Sequence, residues 1–251
     1  MSGAREMLKI DVLGVAFDNL TMDEAVDRAW ALMAERRAAY VVTPNPEIVM
    51  ACRGDPEAQR AVDGAALTIA DGIGVIYAAK LLKTPLKEKI PGIDFTSKLL
   101  ERMAGEGKTL FLLGSKPGVA EAAARNLTTE RYPGLRVVGT NDGYFQDDAP
   151  VLEKINAASP DLLLVCLGAP KQEKWMKKNA EELKLSVGLM IGAGGSMDVF
   201  AGTAERAPEK WRKAGLEWLY RLLKEPKRAA RMMALPKFLL CVLIKGAKRK
   251  K

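Results

Sequence analysis

Short apolar, β-prone runs alternate along this chain with amphipathic stretches, and that alternation restricts the fold more than any other feature. The runs fall at residues 8–15, 39–43, 67–70, 109–113, 136–140, 162–167 and 186–191. Some are apolar throughout, as residues 162–167 (LLLVCL) are, which fits strands covered on both faces. Between them lie patterns with helical spacing. Residues 22–37 put Ala25, Val26, Ala29, Trp30 and Met33 on one face, and Thr21 with Glu24 three positions on makes a capping-box pattern. Residues 117–127 and 150–158 open on Pro117 and Pro150, which suit the first turn of a helix. Strand, helix and strand in succession predict an α/β fold: a Rossmann-like, largely parallel sheet with helices on both faces.

Charge divides the chain unevenly. Residues 204–251 hold 15 Lys and Arg against 4 Asp and Glu, a balance of +11; the whole chain is +8, so residues 1–203 carry −3. The reading is therefore a Rossmann-like domain over 1–203 followed by a basic helical appendage over 204–251. The appendage mixes Arg221, Arg228 and Arg231 with Trp211, Trp218, Tyr220 and the apolar run 232–244 (MMALPKFLLCVLI). Arginine and aromatic side chains interleaved with apolar ones favour an anionic membrane surface over a purely solvated tail. The run is interrupted by Lys237 and falls short of the roughly 20 apolar residues that a span needs, so no transmembrane helix is expected. Residues at the start show no apolar signal core. The basic residues alternate with apolar stretches and form no nucleic-acid reading motif, so nucleic acid is not an expected partner.

Cys52, Cys166 and Cys241 are odd in number and far apart, which makes neither a disulfide framework nor a zinc spacing; buried reduced thiols are expected. The chain has no histidine, which removes the commonest general base and the commonest metal ligand. Acid–base chemistry must fall to other groups.

In an open parallel sheet, ligands bind beyond the carboxyl ends of the strands. The turns that follow the strands carry the candidates. Residues 43–49 (TPNPEIV) supply Thr43 and Asn45 in a turn stiffened by two prolines. Asp71 lies between a strand end and Gly72, where it can act as a general base or cap the next helix. Gly114 opens a strand-to-helix turn that lacks the ending of a P-loop. Gly168, Lys171, Gln172 and Glu173 lead into a helix, where acids also complement the dipole. Gly192, Gly194 and Asp198 belong to IGAGGSMDVFAG, a turn able to bring backbone N–H groups to a phosphate or simply to make a tight bend. Met197 stands where a dinucleotide fingerprint needs glycine, which argues against a nucleotide-dependent oxidoreductase.

TPNPEIV, ADGIGV, PGIDF, LGSKPGVAEAAA, LGAPKQEKW, GAGGSMDVFAG, RAPEKW and GLEWLYRLLKEPKRAAR occur in this order. In that order they resemble the WecG/TagA/CpsF glycosyltransferases, glycosyltransferase family 26, from about residue 12 to residue 238. The resemblance implies an inverting, metal-independent transferase without a cofactor. Its donor would be UDP-N-acetylmannosamine and its acceptor N-acetylglucosaminyl-diphospho-undecaprenol, joined by a β-1,4 linkage in wall teichoic acid or surface polysaccharide synthesis. Within it Asp71 matches the catalytic base, with Thr43 and Gln172 beside it and Asn45 lining the same pocket. Arg221, Arg228 and Arg231 match tail arginines that grip the lipid diphosphate. Many relatives have histidine before the Gly-Tyr of the segment TNDGYF; Asn141 and Asp142 stand here instead, which leaves Asp71 as the better base. No D-x-D carboxylate pair is present.

The expected partners are thus a UDP-sugar, an undecaprenyl-diphosphate-linked acceptor and an anionic membrane surface, with the protein cytoplasmic and peripheral on the inner face of the plasma membrane. A homo-oligomer is left open by the sequence. Two other functions remain: transfer of N-acetylmannosaminuronic acid by the same site, and a non-catalytic module that binds anionic lipid.

Overall fold

The computed structural model describes residues 8–224 and 233–248. The chain opens with an antiparallel ribbon, β1 (Lys9–Val12) and β2 (Val15–Asp18), followed by α1 (Met22–Glu35), β3 (Ala39–Val42), α2 (Pro46–Gly54), α3 (Pro56–Asp63), β4 (Leu67–Thr68) and α4 (Ile73–Leu81). It continues through α5 (Gly92–Gly105), β5 (Thr109–Gly114), α6 (Val119–Asn126) with a π-helical turn at Leu127–Arg131, β6 (Arg136–Asn141), α7 (Ala149–Ala158), β7 (Leu162–Cys166), α8 (Lys171–Leu183), β8 (Leu189–Gly192) and α9 (Ser196–Phe200). Three helices follow in the C-terminal segment: α10 (Glu209–Lys213), α11 (Glu217–Lys224) and α12 (Ala234–Lys248).

Six strands pair in the order β4-β3-β8-β7-β5-β6, each neighbour parallel. Every residue of β7 and β8 is buried, as the uniformly apolar run requires. Alternate residues feed two cores. Leu162, Leu164, Leu189 and Ile191 pack with α1, α5, α6 and α9 on one face. Leu163, Val165 and Met190 pack with α2, α3, α4, α7, α8 and α12 on the other. This is the expected α/β layering with helices on both faces.

Local signals explain where the helices begin. The Thr21 hydroxyl accepts from the Glu24 N–H at 3.3 Å, and a Glu24 carboxylate oxygen accepts from the Thr21 N–H at 2.8 Å, completing the capping box of α1. Asp55 caps α3, its carboxylate accepting from the N–H groups of Glu57 and Ala58.

The first predicted strand needs correction. Residues 8–15 do not form one strand of the main sheet; they turn at Leu13 and Gly14, with φ of 56° and 98°, into the β1–β2 ribbon. Leu-Gly is not the Asn-Gly pair that announces such a turn, so the apolar run read as continuous. Asp18 ties the ribbon to the sheet: it is buried and accepts from the Thr68 N–H at 2.8 Å.

The C-terminal apolar run also divides in two. On α12, Phe238 and Val242 are fully buried and join the core with Val49, Cys52 and Val75. Lys245 pairs with Asp11 of β1. Leu240, Leu243 and Ile244 on the same helix stay exposed, as do Tyr77 and Leu81 of α4. No helix among the described residues is long and apolar enough to cross a membrane.

The burial of Phe238 predicts that α12 contributes to global stability. Phe238→Ala should cost about 3–5 kcal/mol, the range for deleting a large aromatic from a packed site. Urea unfolding measures it, and an unchanged midpoint would show that the helix is not seated as described.

Candidate active site

Because the six strands are parallel, their carboxyl ends share one rim. The turns after β4, β3, β8, β7 and β5 therefore follow one another in the sheet order, and they carry Asp71, Thr43 with Asn45, the 192–195 turn, Gly168 with Gln172, and Gly114. Residues that lie far apart in sequence are thereby brought together.

Asp71 follows the short strand β4, and its N–H reaches the Pro44 carbonyl at 3.3 Å. Gly72, with φ of 89°, is the N-cap of α4, so Asp71 is not the capping residue. Beside it, the Ile90 N–H donates to the Ala70 carbonyl at 3.0 Å and pins the entry to α5 against this turn. Gly92, at the start of α5, packs closely on Thr43: a Cβ there would meet the Thr43 hydroxyl oxygen at 3.2 Å. Thr43 is buried and donates through its hydroxyl to the Gly192 carbonyl at 3.3 Å. Asn45 caps α2, its side-chain oxygen accepting from the Ile48 N–H at 3.0 Å.

Gln172 holds the next turn. Its amide oxygen accepts from the Gly194 N–H at 3.1 Å, and its amide nitrogen donates to a Glu173 carboxylate oxygen at 2.9 Å. Gly192 packs closely on this helix: a Cβ would approach the Gln172 amide nitrogen at 3.0 Å and the Met176 methyl at 2.9 Å. The sequence singled out Gln172 but gave no hint that Glu173 is completely buried behind it. One Glu173 oxygen has no hydrogen-bond partner among the described residues. Burial pushes this carboxyl above the ordinary range, only partly opposed by the Gln172 donor.

On the far side of the rim, Gly114 has φ of 127°, and a Cβ would come within 2.3 Å of the Cys166 carbonyl oxygen, so only glycine lets β5 and β7 end this close. The Ser115 hydroxyl then donates to Asp198 at 3.0 Å, joining the turn after β5 to α9. Gly168 has φ of 79°, and its carbonyl accepts from the Gln172 N–H at 2.9 Å. Lys171 is exposed, with its ammonium 5.6 Å from the centre of the Phe145 ring, at the outer margin of this rim.

Cys52 and Cys166 are buried, and desolvation pushes both thiols up to about 12, which leaves them inert at neutral pH. Cys241 is half-buried and also unpaired by a disulfide. Among the described residues no group of three or more His, Cys, Asp or Glu is arranged to hold a metal ion.

The C-terminal segment reaches the Asp71 turn. A Cβ on Gly215, between α10 and α11, would meet Ile73 at 3.2 Å, and one on Gly74 would meet Leu235 of α12 at 3.5 Å. Arg221 belongs to α11; Arg228 and Arg231 lie outside the described residues.

At the carboxyl rim of the parallel sheet a half-buried carboxylate, Asp71, thus has glycine turns along the same rim and the basic C-terminal segment against its turn. The family model described as "Glycosyl transferase WecG/TagA/CpsF family" matches residues 10–251, and the chain belongs to that family. It is a glycosyltransferase by that membership. Proteins of Staphylococcus aureus strains MW2, NCTC 8325 / PS 47 and MRSA252, each named N-acetylglucosaminyldiphosphoundecaprenol N-acetyl-beta-D-mannosaminyltransferase, are 37% identical to it over 245 residues, covering 96% of this chain and 94% of theirs.

Glu173 generates a pH-dependent prediction. A carboxyl whose pKa is raised by folding gives its full stabilisation below the unfolded value of about 4.3 and loses it as pH rises through the folded value. Glu173→Gln keeps an oxygen to accept from Gln172 and removes that loss. The variant should therefore gain on the parent in melting temperature as pH rises from about 4 toward 8. A difference that stays constant across that range would show that the folded Glu173 titrates as it does in the unfolded chain.

Proposed function

We propose that this protein transfers N-acetylmannosamine from UDP-N-acetylmannosamine to N-acetylglucosaminyl-diphospho-undecaprenol with inversion, forming a β-1,4 linkage. One observation carries the reading: Asp71 lies at the carboxyl rim between the glycine turns and the C-terminal segment, with Gly215 packed on Ile73 and Leu235 facing Gly74. A base in that position borders both a donor bound on the turns and an acceptor held from the tail side. The names of the staphylococcal relatives support the same acceptor and sugar.

In the proposed mechanism the acceptor hydroxyl oxygen attacks the anomeric carbon as Asp71 takes its proton. The bond from that carbon to the UDP oxygen breaks, and UDP leaves with the electron pair. One displacement inverts the anomeric centre, so a single carboxylate base suffices. Gly168 and Gly194, where a side chain would stand in open space, let a diphosphate approach the backbone. Gln172 fixes the 192–195 turn through Gly194, and Thr43 holds its other side through Gly192. Preorganised donors of this kind stabilise charge on a leaving group. Arg221, Arg228 and Arg231 are proposed to hold the acceptor diphosphate, a task suited to the planar guanidinium fork.

The exposed Leu240, Leu243, Ile244, Tyr77 and Leu81 support attachment to an anionic membrane, with the protein peripheral on its cytoplasmic face. A panel of UDP-sugars with a lipid-diphosphate acceptor, read by product mass, tests the function. Transfer of N-acetylmannosamine is expected. Preference for its uronic acid would redirect the assignment, and no product from any donor would favour a lipid-binding module.

Asp71→Asn should lower turnover by roughly 10²–10⁴, the usual cost of losing a general base, while UDP binding changes little. Turnover close to that of the parent would remove Asp71 from the mechanism. Activity should also persist in EDTA, since the chain has no histidine and no D-x-D pair. A requirement for magnesium or manganese, met on adding the ion back, would overturn that expectation.

A further inference from the structure

The crossing from body to C-terminal segment contains an ion pair that the functional reading leaves unused. Arg206 donates through both terminal nitrogens to the two carboxylate oxygens of Asp94, each at 2.6 Å. The partners are 112 positions apart in sequence. The pair is bidentate and part-buried, with side-chain exposures of 22% and 36%, whereas the pairs that join α5 to α1, Lys98–Asp23 and Arg102–Asp27, are more exposed. The third guanidinium nitrogen, Nε, is buried without a partner among the described residues. Ala207, the next residue, is buried, so the backbone is held at the same point.

Both ends of this contact lead to the site through the elements that carry them. Asp94 lies in the first turn of α5, whose entry is tied to the Asp71 turn by the Ile90–Ala70 hydrogen bond and to Thr43 by the fit of Gly92. Arg206 begins the segment that runs through α10 and Gly215, which lies on Ile73, into α11 with Arg221. Burial disfavours the Arg206 cation, but Asp94 holds it charged, with smaller contributions from Glu217 of α11 and from Asp71. One guanidinium thus lies within the field of a carboxylate on the body, a carboxylate on the tail and the proposed base.

We infer that Arg206 and Asp94 form a latch that keeps the C-terminal segment in register with Asp71, which makes Arg206 a positioning residue for transfer to the acceptor. The inference rests on the proposed function, because register with Asp71 matters only if the tail presents the acceptor to that base. The latch is distinct from the apolar face of α12: breaking it should shift the tail over the site without releasing the protein from a membrane.

A mutant cycle of Arg206→Ala, Asp94→Ala and the double variant tests it, with Asp94→Asn as a milder change. Each single alanine should lower kcat/KM for a soluble acceptor diphosphate by at least about tenfold, and the double should fall no further than either, because the two side chains act as one unit. Asp94→Asn should lie between, since it keeps a hydrogen bond and loses the charge. The Kd for UDP and binding to anionic vesicles should stay within about twofold of the parent. Trypsin should cut after Lys210, Arg212 and Lys213 at least about tenfold faster in both single variants, which reads the latch with no substrate present.

A severe Arg206→Ala beside a near-parental Asp94→Ala would mean that Arg206 touches substrate directly, and the latch would be wrong. Loss of UDP binding in both singles would assign the pair to the body's stability and equally overturn it. If the parent itself transfers no sugar, the functional reading fails, while the trypsin comparison still decides whether the latch exists.

Discussion

Two adjacent strands with no exposed face, β7 and β8, set the terms for the rest of the molecule. Their side chains are apolar on both sides, so neither can offer a polar group until the strand ends. Parallel pairing brings all those ends to one rim, and the crossover helices close both faces. Polar chemistry is thereby concentrated at a single edge without any one segment of sequence encoding a pocket. The same constraint explains the glycines there. Where β5 and β7 end side by side, Gly114 lies so near the Cys166 carbonyl that a methyl group would overlap it.

Order at the rim is maintained by side-chain hydrogen bonds. Gln172 is the central one: it takes the Gly194 N–H with its oxygen and gives its nitrogen to Glu173, which fixes the orientation of the amide. A fully buried carboxyl is costly when ionised, and the protein tolerates it directly behind the turn proposed to receive a diphosphate. A neutral Glu173 would hold the amide without placing a negative charge near that anion. Thr43, just after β3, braces the same turn at Gly192, so two hydrogen bonds, one from the end of β3 and one from α8, restrain it.

Much of this was legible in the sequence, and most of what was not has one physical cause. Alternating runs predicted the layered sheet because period and length are local properties. Thr21 with Glu24 predicted a helix start for the same reason. Asp71, Thr43 and Gln172 could be singled out because each follows a strand. Asn45 was assigned to substrate, and its side-chain oxygen is a helix cap; a polar residue ahead of proline fits either role until the next turn is seen. The burial of Glu173 and the pairing of Arg206 with Asp94 are set by neighbours far off in sequence, and no window along the chain contains both partners. Leu13–Gly14 failed for a different reason: the turn is built by packing of Leu13 into the core, not by a turn-forming dipeptide.

The C-terminal run shows how one pattern can serve two surfaces. Phe238 and Val242 are four apart and face inward, while Leu240, Leu243 and Ile244 lie on the other side of the same helix. A helix that is apolar all round normally lies inside a core or a bilayer. Here one stripe is used by the body and the other is left exposed, and the neighbouring helix α4 also exposes Tyr77 and Leu81. Because Leu235 of this helix also approaches Gly74, three residues beyond Asp71, the exposed stripe and the proposed base belong to one packed unit. A membrane seated on that stripe would then stand at a fixed distance from the base. The reach from the lipid diphosphate to Asp71 would be set by helix packing, leaving the arginines of the tail to supply charge to the acceptor.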